Sequence, residues 1–292
     1  MLSTETPVNE QTTVQTAISE IGEIATLPEV TVKIIKVVED PKSTARDLHE
    51  VIKNDPALSA RILKVVNSAF YGLPGQIASV DRAIVLLGLS AVKNIAIAAS
   101  MTRLFQGGTQ IDGFEPMELW RHCIAVGVAS RMITKAQGKP SVEESFLAGL
   151  IHDLGILVER QVFPRQLVDV IAKHSEGRQS FPDVERAIIG ADHQAFGMAL
   201  ATKWRFPRVL CIAIGYHHQP MSLTIENRQL PLLVHVADVI AARAEIGFTA
   251  TARSESYDDA MIAELGVTPE ALQEIADQLV EQVDNTAAMF GE

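Results

Sequence analysis

The sequence predicts an all-α fold, an N-terminal helical module packed on a second helical bundle. Three observations carry this expectation. Apolar residues recur at helical spacing from Val14 onward. Aromatic residues make up only 5% of the chain while Ala, Leu, Ile and Val abound, a composition that favours helix-on-helix packing. No segment alternates as a half-buried strand would, and no internal repeat or low-complexity tract interrupts the pattern.

In chain order, residues 1–13 are polar and aperiodic and read as a disordered tail. Ile18, Ile21 and Ile24 then share a helix face, which Leu27-Pro28 ends. Val30–Val38 makes the next helix. Ser43 and Thr44 cap a helix through Ile52. Asn54-Asp55-Pro56 starts another, a capping side chain followed by proline at the first helical position. The stretch Phe70-Tyr-Gly-Leu-Pro-Gly75 is a tight irregular connection. Ser79 caps a short helix to Leu87, Gly88 stops it, and Ser90 is expected to cap a helix to Phe105. Gln106-Gly-Gly-Thr-Gln-Ile-Asp-Gly113 is the clearest boundary and divides a module at 14–113 from a domain at 114–292. Beyond it Pro116 opens a long helix to Ala136. Ser141-Val-Glu-Glu144 has the pattern of a capping box for the next one. Further helices are expected at about 164–174, 183–203, 207–216, 230–246 and 268–290, with a polar mobile loop at 248–260.

The totals narrow the function. The chain has 292 residues, 47% of them hydrophobic and 21% charged, as in a soluble globular protein. Its net charge of −11, with no basic stripe, argues against DNA and anionic membrane as partners. A phosphate-bearing ligand would need a local positive focus such as a metal ion. Cys123 and Cys211 lack metal or disulfide spacing and read as reduced core residues. The polar start and the lack of a long apolar run predict a cytoplasmic protein.

The chemistry centres on Phe146-Leu-Ala-Gly-Leu-Ile-His-Asp-Leu-Gly-Ile-Leu-Val158, where His152-Asp153 interrupts an apolar run. A buried carboxylate costs several kcal/mol unless a cation or strong donors compensate it. Candidate partners are His122, His193, His217, His218 and Asp238, with Glu118 one turn before His122. Each alone has an ordinary explanation. Glu118 and His122 could be a surface pair, a single helical histidine is usually a core or surface residue, and His217-His218 sits at a helix C-terminus that favours imidazolium. Together, five of the eight histidines of the chain fall in one set. The carboxylates of Glu118, Asp153 and Asp238 would be over-neutralised by two divalent ions, which leaves an anchor for phosphate oxygens. Without metal, some of the histidines would have to be protonated instead.

At these residues the chain resembles a known family. His122, His152-Asp153, Asp192-His-Gln-Ala-Phe-Gly197, His217-His218 and His-Val-Ala-Asp238 are similar to the ligand series of the HD phosphohydrolase superfamily. Ile62-Leu-Lys-Val-Val-Asn-Ser-Ala-Phe-Tyr-Gly-Leu-Pro74, with Ile77, Ser79 and Ala83-Ile-Val-Leu-Leu-Gly88, resembles the opening of an HDOD domain. The two together span about residues 18–245. The resemblance implies a bacterial signal-transduction module, an HDOD module followed by an HD-like domain, related to HD-GYP cyclic-di-GMP phosphodiesterases. It implies a metal set of His122, His152, Asp153, His193, His217, His218, Asp238 and Glu118 for iron or manganese. The chain departs from HD-GYP enzymes at Ile156, where they carry lysine, and at Gln219-Pro220, where their Gly-x-Gly-Tyr-Pro loop is missing. Binding of a signalling protein, such as a sensor kinase or a cyclic-dinucleotide enzyme, or of a nucleotide, is therefore the leading expectation. With no receiver, GGDEF or kinase segment in the sequence, output is expected to pass to a separate protein. The alternative is a metal-dependent phosphohydrolase with a di-iron or di-manganese centre.

Overall fold

A computed structural model describes residues 9–22, 29–40, 42–68, 71, 73, 75–107, 110–177 and 179–290. The expected tail at 1–8, the break at Leu27-Pro28 and Phe70, Gly72 and Pro74 of the irregular connection lie outside the described residues. The first part of the chain forms α1 (Glu10–Glu20), α2 (Glu29–Glu39), α3 (Ala45–Ile52), α4 (Pro56–Val66), α5 (Val80–Leu87) and α6 (Leu89–Phe105). The rest forms α7 (Pro116–Ala136), α8 (Val142–Ile151), α9 (Leu154–Val162), α10 (Pro164–His174), α11 (Phe181–Ile188), α12 (His193–Lys203), α13 (Arg208–Tyr216), α14 (Ile225–Arg243), α15 (Asp259–Leu265) and α16 (Pro269–Phe290). A 3-10 turn at Pro220–Ser222 links α13 to α14. No strand occurs among the described residues, so the all-α expectation holds.

Local capping sets most helix starts. Thr44 and Asp47 form a reciprocal capping box, Asp55 caps α4 ahead of Pro56, and Ser79 caps α5. Four local expectations are corrected. Asn9 caps α1, so residues 10–13 are helical rather than part of a tail. Ser90 lies inside α6, because Gly88 at φ 88° turns the chain directly from one helix into the next. Ser141 makes no side-chain cap, its backbone (φ −81°, ψ 37°) lying off the extended geometry of the capping box. The single helix expected at 183–203 is two, α11 and α12. The chain turns at Ile189–Ala191, and Asp192 caps α12 by accepting from Ala195 N at 2.9 Å.

Helix α7 is the axis of the bundle, with α8, α14 and α16 packed along it. Helix α9 lies on α12, and α12 on α13. The two ends of the chain reach across. Helix α1 packs on α9 and α12, where Lys203 Nζ donates to Ile18 O at 2.7 Å, while α16 packs on α4 as well as α7. Two glycines permit the closest approaches. A Cβ on Gly149 would stand 2.6 Å from Val126 O of α7, and one on Gly155 would stand 1.8 Å from His193 O of α12. Only a residue without a side chain lets α8 and α9 sit so near these backbones, which brings His152-Asp153 to the middle of the bundle.

Candidate metal centre

Five separate elements supply the polar centre. Helix α7 contributes His122, the α8–α9 junction His152 and Asp153, the first turn of α12 His193, the end of α13 His217 and His218, and α14 Asp238. All are buried; His218, at 9% exposure, is the least so. Asp153 sits between two groups. Its Oδ1 lies 3.4 Å from His193 Nε2 and 3.5 Å from His217 Nε2, and its Oδ2 lies 3.4 Å from His152 Nε2. Asp238 Oδ1 lies 2.9 Å from His122 Nε2 and 3.9 Å from His152 Nε2. His193 Nε2 lies 3.3 Å from His217 Nε2 and 3.1 Å from His218 Nε2.

The outer nitrogens assign the tautomers. His122 Nδ1 faces Ile246 O at 3.1 Å, His152 Nδ1 faces Gly149 O at 2.7 Å, and His217 Nδ1 faces Ile214 O at 2.8 Å. A carbonyl only accepts, so these Nδ1 atoms carry hydrogens, and as neutral rings His152 and His217 turn Nε2 lone pairs inward, while His122 Nε2 meets a second acceptor, the Asp238 carboxylate. Around Asp153 Oδ1, lone pairs of the imidazoles and the carboxylate then face one another. His152 Nε2, Asp153 Oδ1, His218 Nδ1 and Asp238 Oδ2 have no hydrogen-bond partner among the described residues. Such a set calls for cations, either protons or metal ions.

The electrostatics of the metal-free chain agree. For Asp153, burial opposes the charge, but His152, then His217 and His193, outweigh it and hold the carboxyl well below its ordinary range. Burial likewise opposes charge on Asp238, and the bond from His122 with the nearby His152 holds it low. His152 runs the other way. Burial disfavours its imidazolium, yet Asp153 and then Asp238 raise its pKa above the ordinary value. Burial lowers His217 and, reinforced by His217 and His193, takes His218 well down. His152 can therefore take a proton while His217 and His218 keep free lone pairs.

Donor atoms on a single ion bonded at about 2.0–2.2 Å lie within roughly 4.4 Å of one another. Asp153 Oδ1, His193 Nε2 and His217 Nε2 meet this at 3.3–3.5 Å, and His218 Nε2 lies 3.1 Å from His193 Nε2. His122, His152 and Asp153, and His152, His217 and Asp238, also bring their donor atoms within 4.8 Å. The residues present could hold two metal ions around Asp153. Glu118 does not join them. It is exposed, and Gly247 packs against its backbone carbonyl and His122 N, so the 246–248 turn separates its side chain from the centre.

Several contributors lie outside the expected ligand set. The 248–260 segment, expected to be a mobile loop, instead crosses the centre. Thr251, fully buried, donates from Oγ1 to Asp153 Oδ2 at 3.1 Å, and His235 holds Ser256 O at 2.9 Å. Gln194 Oε1 accepts from His218 N at 2.9 Å. Glu185 faces His193 Nδ1 from outside the cluster at 2.7 Å. Its signal was present in the pattern, since it occupies the i+4 position of the apolar stripe Phe181, Val184, Ile188. Thr251 carried no such signal.

Comparison with known proteins follows the same lines. The HDOD domain model matches residues 24–220. An uncharacterized protein of Treponema pallidum (strain Nichols) is 28% identical over 200 residues, 68% of this chain, and this chain spans only 38% of that relative's length. Among solved structures, an HDOD domain protein of unknown function from Geobacter sulfurreducens is 21% identical with a TM-score of 0.82, over 97% of this chain and 99% of that one. The "Putative phosphohydrolase" of Shewanella amazonensis SB2B is 22% identical with a TM-score of 0.73, over 96% of this chain and 98% of its own. The "Putative signal transduction protein" of Marinobacter aquaeolei VT8 is 24% identical with a TM-score of 0.75, over 100% of this chain and 67% of its own. These structures share the fold. With the family model matching more than half of the 292 residues, the chain belongs to the HDOD domain family.

Proposed function

We propose that this chain is a regulatory signal-transduction module that works by binding another protein, and that its buried centre holds iron or manganese without turning over a substrate. One observation carries the reading. The donors His122, His152, Asp153, His193, His217 and Asp238 are 0–1% exposed, and the 247–257 segment lies over them with Thr251 bonded to Asp153. A phosphoester would have to displace that segment to reach the centre. Ile156, fully buried, supplies no cation for a phosphate at the position where HD-GYP enzymes carry lysine. Mixed imidazole and carboxylate donors suit iron, manganese or zinc rather than calcium or magnesium. The name of the Marinobacter neighbour, a signal transduction protein, is in keeping with this reading. The partners expected of such a module are a sensor kinase or a cyclic-dinucleotide enzyme.

A second reading has its own support, the sharing of Asp153 between two donor groups. As a phosphohydrolase, the chain would hold one ion with His122, His152, Asp153 and Asp238 and another with Asp153, His193, His217 and His218. Bound there, a metal pair supplies Lewis-acid activation of a phosphoryl group. Gly149 O, Ile246 O, Ile214 O and Glu185 would orient the imidazoles of His152, His122, His217 and His193, while Thr251 would have to leave Asp153 to admit the ester. The test is metal content by mass spectrometry on untagged protein, followed by anaerobic iron or manganese loading and assay against bis-p-nitrophenyl phosphate and cyclic-di-GMP. Metal retention without turnover is expected. Turnover that disappears in Asp153→Ala would favour the enzyme.

A further inference from the structure

A buried carboxyl group, Glu185, stands directly behind the metal centre. Both carboxylate oxygens of Glu185 face His193 Nδ1, at 2.8 and 2.7 Å, and Oε2 also accepts the His193 backbone N–H at 3.1 Å. One carboxylate therefore fixes both the ring and the backbone at the start of α12. It is fully buried, on the same face of α11 as Phe181 and Val184, so water does not screen it. His122, His152 and His217 are oriented differently, each by a neutral backbone carbonyl.

The difference matters chemically. A side chain that holds both the ring Nδ1–H and the backbone N–H fixes the tautomer and the direction of the ring, so that the Nε2 lone pair points at the metal position and the imidazole is a better ligand. Glu159 packs behind Glu185, and burial, then the charge of Glu185, pushes its carboxyl well above the ordinary range. Burial, then the charge of Asp192, pushes the Glu185 carboxyl well above the ordinary range as well, so its hold on His193 rests on geometry: two oxygens meet one ring N–H and one backbone N–H.

Resting on the metal reading above, we infer that Glu185 is a positioning residue for His193. It makes the two metal positions inequivalent, so that the affinity of the one built by Asp153, His193, His217 and His218 depends on Glu185 and that of the other does not. The probe is zinc, titrated into the full metal-free chain against a chromophoric chelator, with histidine 15N resonances followed in parallel. The wild type is expected to take two zinc ions. Glu185→Gln, similar in size, should weaken one of them about ten- to a hundredfold. The resonances of His193, His217 and His218 should be the ones that move late, and the far-UV circular dichroism of the metal-free variant should be unchanged. Equal affinities in variant and wild type, or equal weakening at both positions, would overturn the inference while leaving the metal reading intact. A wild type that takes up no zinc would overturn both. If Glu185→Gln fails to fold, the wild type alone decides. The His193 Nδ1–H proton should resonate downfield of those of His122, His152 and His217, and coincidence with them would overturn the assignment.

Discussion

Asp153→Asn separates the two cations that could sit at the centre. In the metal-free chain the amide can place its NH2 toward His193 Nε2 and His217 Nε2, where Asp153 Oδ1 lies 3.4 and 3.5 Å away, and its carbonyl toward Thr251. Lone pairs that now oppose one another would then be paired. At pH 8, where histidine is neutral in the unfolded chain, the variant should fold within about 1.5 kcal/mol of wild type, the net value of an ordinary hydrogen bond. Metal binding is a different matter, because an amide is a poor ligand and Asp153 faces both donor groups. A ligand present at a hundred times its dissociation constant adds about 2.7 kcal/mol to stability. At about 2–4 °C per kcal/mol for a large domain, that is a rise of about 5–10 °C in Tm. Differential scanning calorimetry with and without Mn2+ should show this rise in wild type and none in the variant. Glu118→Gln, an exposed position, should keep it. An Asp153→Asn protein that still gains several degrees with Mn2+ would refute Asp153 as the shared ligand.

Three further outcomes follow from the packing and the titration of the centre. Thr251→Val keeps the shape but removes the donor to Asp153 Oδ2, so urea unfolding of the metal-free protein should show a loss of about 1.5–3 kcal/mol. A change under about 0.5 kcal/mol would mean that the 247–257 segment is not anchored there. Gly155→Ala puts a methyl 1.8 Å from His193 O, and overpacking against backbone should cost about 3 kcal/mol or more and displace His193. Urea unfolding and loss of zinc uptake would register this; a stable variant with full uptake would contradict the α9–α12 contact. Glu159→Gln tests the buried acid. Its pKa is raised in the folded state, so its contribution is fully present below the unfolded value of about 4.3 and is lost as pH rises toward the folded value. The Gln variant escapes that loss, and its stability relative to wild type should climb by about 1.4 kcal/mol per pH unit above that point. A flat difference between pH 5 and 7 would show that Glu159 is ionised in the fold.

The elements that the chain could announce by itself were the ones governed by neighbours in sequence. Thr44 with Asp47, Asp55 before Pro56 and Ser79 each satisfy N–H groups within four residues, so they read directly as helix starts. The His152-Asp153 step was equally legible, because a carboxylate in an apolar run needs a partner wherever the chain goes. The meeting of α7, α9, α12, α13 and α14 was decided by tertiary packing, through glycines small enough for backbones to touch. So were the turn that makes His193 the first residue of its helix, the exposure of Glu118, and the path of 247–257 over the centre. Glu185 stands between the two cases. Its place on an apolar stripe was visible, but only the docking of α11 against the start of α12 brings the buried carboxyl onto His193. Local hydrogen bonds are written into adjacent residues, whereas a site made by five distant elements exists only when the core has closed around it.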